Sequence, residues 1–192
     1  MRRSELAALG IQLPVLPTIV LGPLPGGAGW SARLARLGLD VTASGAAEDT
    51  PATLDEARAA APHLPLKART ADPSWLAGRG PLVLEGPPGA PEGVHPLLPG
   101  DAVVVPIDAG DEVEAVMEVA RRVLGPARAR PASELWVATP GDLGRLPGEL
   151  VERKLEALVE GTRQARLYLA KDQFDHDDPG PAWGPGGYHR VG

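Results

Sequence analysis

The chain has no cysteine among its 192 residues. That excludes disulfides, thiolate nucleophiles and Cys-ligated metal centres, and it suits a cytoplasmic protein. Aromatic residues are scarce, with one Phe, two Tyr and four Trp, so a core must be built from Leu, Val and Ala. Basic residues are outnumbered, 19 Lys and Arg against 25 Asp and Glu, which leaves a net charge of −6. A surface of that sign does not suit a general binder of nucleic acid or of anionic membranes. No apolar run is long enough to cross a bilayer. The basic start Met1-Arg2-Arg3 is not followed by a signal-peptide core, because Pro14 and Pro17 interrupt the apolar stretch.

Glycine and proline are abundant, at 24 and 22 residues. They cluster between apolar segments and near the end, a pattern of ordered elements joined by stiff loops. Residues 1–172 are expected to form one domain with a real core, and residues 173–192 a tail without periodicity.

Short apolar segments at 17–21, 39–43, 64–68, 81–85, 102–107 and 135–138 read as about six buried strands. Helical patterns lie between them. Residues 31–37 have Ser31 as N-cap and Gly38 as stop, and Thr50-Pro51 opens a helix over 52–61. One turn is expected at 72–76. Asp111, Glu112 and Glu114 open a helix over 111–124 that Arg121, Arg122 and Gly125-Pro126 close. A long helix over 149–171 lines up Val151, Leu155, Leu158, Val159, Ala165 and Leu169 on one face. Gly161 inside it implies a closely packed neighbour. Residues 86–100 read as a turn-rich loop. The alternation gives an α/β fold of parallel strands, TIM-barrel-like and reduced or incomplete, since a full barrel takes roughly 250 residues. A barrel with very short connections and an open doubly wound sheet are the alternatives.

In such folds the loops at the carboxyl ends of the strands carry the site. Glu85 closes a strand there and could bind an amine or act as a base; the bland alternative is a pair with Lys67 or an Arg. Asp142 lies in the loop after 135–138, as a ligand-binding acid or as turn chemistry. Lys67, on an inward position of 64–68, could neutralise a carboxylate substrate or be a surface Lys. His95 could be an acid, a base or a ligand, or a solvated loop residue. Glycines over 22–29 could offer N–H groups to an anion, although no P-loop Lys-Ser/Thr follows. Asp175-His176-Asp177-Asp178 could hold a cation weakly. Trp30, Trp75 and Trp136 are expected to pack, because no basic groove accompanies them. No catalytic residue and no metal ligand is assigned.

Five stretches in order carry a family resemblance: LPTIVLGPL (16–24), LDVTAS (39–44), residues 65–70 with LVLEGPP (82–88), 107–125, and the strand, loop and helix over 135–166. Together they resemble the barrel of cobalamin-independent methionine synthases. The resemblance implies a (β/α)8 barrel, a role in methionine biosynthesis, and methyl transfer from a methylated folate to zinc-bound homocysteine. It also implies where this chain departs. Asp142 falls near the family's last Cys ligand, and His95 stands without its Cys partner. Pro23 falls on a substrate-contacting Ser, Glu85 on an Asp that holds the substrate amino group, and Gly86 on a Glu. The implied ligand is a small amino acid or a folate-like molecule, bound by Glu85, Asp142, Lys67 and His95 without the zinc site. A non-catalytic binding or interaction protein is the alternative. Strand edges left by a missing middle would suit a homo-oligomer.

Overall fold

Leu66 and Ala68 point one way from their strand and Lys67 the other, and all three are buried. Only a strand covered on both faces does that. The computed structural model describes residues 13–79, 82–85, 91, 94–96, 102–132 and 135–177. Seven short strands lie among them: β1 Thr18–Ile19, β2 Thr42–Ala43, β3 Leu66–Arg69, β4 Leu82–Glu85, β5 Val94–Pro96, β6 Ala102–Val104 and β7 Leu135–Ala138. Every pairing is parallel, in two sheets ordered β1-β7-β6 and β2-β3-β4-β5. The sheets meet where the Val41 N–H donates to the Thr18 carbonyl at 3.1 Å. Their far edges, β5 and β6, are not paired with each other among the described residues, so no barrel is closed.

The inward residues of both sheets form one buried cluster, with Ile19, Val41, Val83, Trp136 and Ala138 in contact. The outward residues meet helices. Leu66, Ala68, Leu82 and Leu84 pack on Leu54 and Ala57 of α2, Pro51–Ala60. Val137 packs with residues of α1 (Ser31–Leu37), α3 (Val116–Ala129) and α4 (Gly148–Asp177). The three tryptophans pack as expected: Trp30 and Trp136 are buried, and Trp75 lies against the α2 cluster.

Several boundaries move, each for a local reason. The loop expected over 86–100 holds β5; three residues ending in Pro96 give no period, and the ladder to β4 decides. Trp30, not Ser31, caps α1, because the Ser31 hydroxyl is buried and donates to the Ala57 carbonyl at 3.0 Å. Gly38 does stop that helix, at φ 86°. Thr50 caps α2 in a capping box with Thr53, and Pro51 starts it. Asp111, Glu112 and Glu114 lie before α3 rather than in its first turn. Lys154 draws that segment away, bonding the Glu112 carbonyl and, at 3.1 Å, the Glu114 carboxylate. Gly125-Pro126 does not end α3, which runs on to Ala129 because Ala127 is buried against the core. The long helix α4 continues to Asp177, past its expected end at 171. Residues 178–192 lie outside the described residues.

A Cβ built on Gly161 would stand 2.5 Å from Val119 Cγ1 and 3.0 Å from the Val116 carbonyl oxygen. The close packing that the helical glycine implied is therefore between α3 and α4. Gly161→Ala is expected to lower stability by up to about 2 kcal/mol, since overpacking costs about 1–3 kcal/mol against a helix-propensity gain of about 1. Val119→Ala leaves its own Cβ 2.6 Å away, so the Gly161→Ala penalty should persist beside it, whereas adding Val119→Gly removes both clashing carbons and should shrink that penalty. Urea denaturation of these chains measures this; a stabilised Gly161→Ala variant would contradict the close contact.

Candidate functional site

The register sets Arg69, the last residue of β3, beside Glu85, the last residue of β4. One row deeper, Ala43, Lys67, Val83 and His95 are neighbours across four strands. Lys67 is 2% exposed. Its ammonium pairs directly with Glu85 Oε2, and the other cation, Arg69, has its Nε 3.9 Å from Glu85 Oε1. The backbone N–H of Gly22, just past β1, donates to both Glu85 oxygens, at 2.9 and 3.1 Å. A single carboxylate thus ties together the ends of β1, β3 and β4.

Gly22 has to be glycine. Its φ is 70°, and an added Cβ would overlap the backbone of Gly141 in the loop after β7. Thr139, buried at the end of β7, accepts from the Leu21 N–H at 2.9 Å and donates to the Leu21 carbonyl at 3.2 Å. Beyond β2, the buried Asp49 accepts from the Ser44 hydroxyl, from Thr53 Oγ1 at 3.3 Å and from the Arg69 N–H at 2.7 Å. These contacts fix the loops after β1, β2 and β7 around the Lys67–Glu85 pair.

Burial pushes the Lys67 ammonium below its ordinary pKa, and the Glu85 charge and hydrogen bond act against that shift. Of the residues singled out in the sequence, Lys67 and Glu85 therefore meet. Asp142 does not join them. It is exposed, at the start of a short 3-10 turn Leu143–Arg145, with no side-chain cap bond. His95 has its backbone on β5 beside Val83, and its side chain lies outside the described part. The side chains of Asp175, His176 and Asp177, with all of Asp178, also lie outside it. Gly22, Asp49 and Arg69 were not singled out as individual site residues. Arg69 carried a signal: it follows Lys67 by two, so a strand puts both on one face.

The described donors do not make a zinc site. No group of three or more His, Cys, Asp or Glu among the described residues could hold a metal. Most of the segment between β4 and β6, where the family ligands would fall, lies outside the described residues. A cavity of about 740 Å³ lies elsewhere, lined by Val15, Arg130, Pro131 and Leu169 where the strands begin. None of the described helices is long and apolar enough to cross a membrane.

Fold and site together define an α/β protein of parallel strands with a charged cluster at their carboxyl ends. The chain matches no protein-family model and no curated protein. Among solved structures it is distantly similar to a B12-independent methionine synthase from Shewanella sp. W3-18-1 in complex with selenomethionine, at a TM-score of 0.32 and 17% identity. The match covers 72% of this chain and 52% of that one, so the chain spans about half the length of that structure.

Glu85→Gln would leave a buried ammonium without its counter-charge, at an expected cost of about 3 kcal/mol near neutral pH. Glu85→Gln with Lys67→Met should recover most of that loss. The pH dependence carries a sign. The Lys67 pKa is lowered in the folded chain, so the native state gives up its proton first, unfolding takes one up, and stability rises with pH below 10.5. Without Glu85 the raising contributions vanish, and that rise should begin at lower pH. Urea denaturation from pH 7 to 10 tests both points; equal losses in the single and double variants would show the pair to be unimportant.

Proposed function

We propose that this chain is a reduced, methionine synthase-like barrel protein whose strand-end mouth binds a small amino acid or folate-like ligand. Three of the five stretches that carry the family resemblance supply the groups that meet there: Gly22, the pair Lys67 and Glu85, and the Thr139–Gly141 loop. That convergence is the observation that carries the reading.

In this reading Glu85 faces the amino group of the ligand with the lone pairs that Lys67 and Gly22 leave, and Lys67 holds Glu85 in place. Asp142 borders the mouth from the turn after β7, and His95 lies on the neighbouring strand. The family reaction is methyl transfer from methyltetrahydrofolate to homocysteine. Among the described residues no zinc-type donor set is present to activate a thiol by the family route, and binding rather than that step is proposed.

The test is isothermal titration calorimetry of the full chain with methionine, homocysteine and methyltetrahydrofolate, alongside a methyl-transfer assay. One of the three is expected to bind in the micromolar to millimolar range, and Glu85→Ala should weaken it at least tenfold. Methyl transfer is expected to be undetectable, with or without added zinc. Absence of binding by all three would remove the reading. Zinc-dependent turnover would overturn the assignment of binding alone.

A further inference from the structure

Four charged side chains gather at the strand ends, and three have their partners. Glu85 takes the Gly22 N–H and the Lys67 ammonium. Lys67 has Glu85, and Asp49 has Ser44, Thr53 and the Arg69 backbone N–H. Arg69 is different. Its closest carboxylate contact is the 3.9 Å approach of Nε to Glu85, longer than a hydrogen bond. Its Nη1 is buried and has no hydrogen-bond partner among the described residues, while the side chain as a whole is 35% exposed.

Buried donors without an acceptor are rare in folded proteins, and each calls for an acceptor from somewhere. The Asp49 and Glu85 carboxylates beside Arg69 are turned to their other donors, and neither reaches its Nη1. A partly open guanidinium with an unfilled N–H fork matches the oxygens of a carboxylate or phosphate. We infer that Arg69 is the anion subsite of this mouth and takes the carboxylate or phosphate of the bound ligand. This rests on the reading that the mouth binds a small ligand, and it adds which group of the ligand is recognised and by which residue. Lys67 does not compete for that role, because Glu85 already neutralises it.

Two probe pairs test this on the full chain. Inorganic phosphate against chloride at equal ionic strength, read by thermal unfolding, should give a saturable rise in Tm for phosphate alone. Methionine against methioninamide, read by calorimetry, should show at least tenfold weaker binding of the amide. Arg69→Gln should remove both differences. Arg69→Lys, which keeps the charge without the fork, should weaken both at least threefold. If Arg69→Gln does not fold, Arg69→Lys and the two probe pairs on the unaltered chain still decide. The inference is overturned if phosphate acts no differently from chloride and the amide binds as well as methionine. It is also overturned if the Arg69 variants bind as the parent does. Arg69-dependent phosphate binding without methionine binding would keep the anion subsite and remove the amino-acid reading. Equal binding of methionine and its amide would do the reverse.

Discussion

A lysine held between two sheets, with its charge neutralised by a carboxylate from the next strand, is the constraint on which the rest of this structure depends. Lys67 shares its interior with Val83, Ile19 and Ala138, where an unpaired ammonium would be far too costly to keep. Glu85 must therefore lie above it. Once there, its remaining lone pairs need donors, and Gly22 provides the N–H. Gly22 can come so near only because it lacks a Cβ where the Gly141 backbone passes. Charge burial in β3 thereby dictates a carboxylate in β4, a glycine after β1 and the approach of the loop after β7.

The opposite ends of the strands are tied by a second charge. Arg166 of α4 donates to the carbonyls of Val15 and Leu16, at 2.8 and 2.9 Å, and pairs with Asp40. Asp40 in turn accepts from the Thr18 N–H and hydroxyl. Leu16 sits at φ 55°, a left-handed conformation that costs a residue with a Cβ on the order of 1 kcal/mol. The two bonds from Arg166 hold it there. Lys154, about three turns earlier on the same helix, fixes the segment after β6. One helix thus fastens both ends of the fold, with the buried Lys154 and the half-buried Arg166, while its apolar stripe covers β1 and β7.

Much of the layout could be read from the sequence because it follows from burial. The expected strand segments overlap six of the observed strands, since β-branched runs between Gly/Pro loops have few alternatives. The pairing of Lys67 with Glu85 was also legible: both lie on inward strand positions of opposite charge. The misreadings came where tertiary contacts overruled local signals. Three acids before a helix look like an N-terminus, yet Lys154 draws them out of it. Gly125-Pro126 looks like a stop, yet the burial of Ala127 outweighs it. β5 had no periodicity to find. Arg69 was passed over because its unmet donor is a property of three dimensions, visible only once the partners of its neighbours are known.

Strand length explains why so many side chains bond to backbone at both ends. β1 and β2 span two residues each, and ladders that short supply few hydrogen bonds to fix register. Side chains do it instead. Thr139 copies a strand partner for Leu21, Asp40 does so for Thr18, and Asp49 does so for Arg69. Each of these acceptors is consumed by that task. At the carboxyl ends Glu85 and Asp49 hold the backbone N–H groups of Gly22 and Arg69 in this way. Arg69 stands beside both, and its Nη1 has no acceptor among the described residues, which is why we infer that a bound anion supplies one.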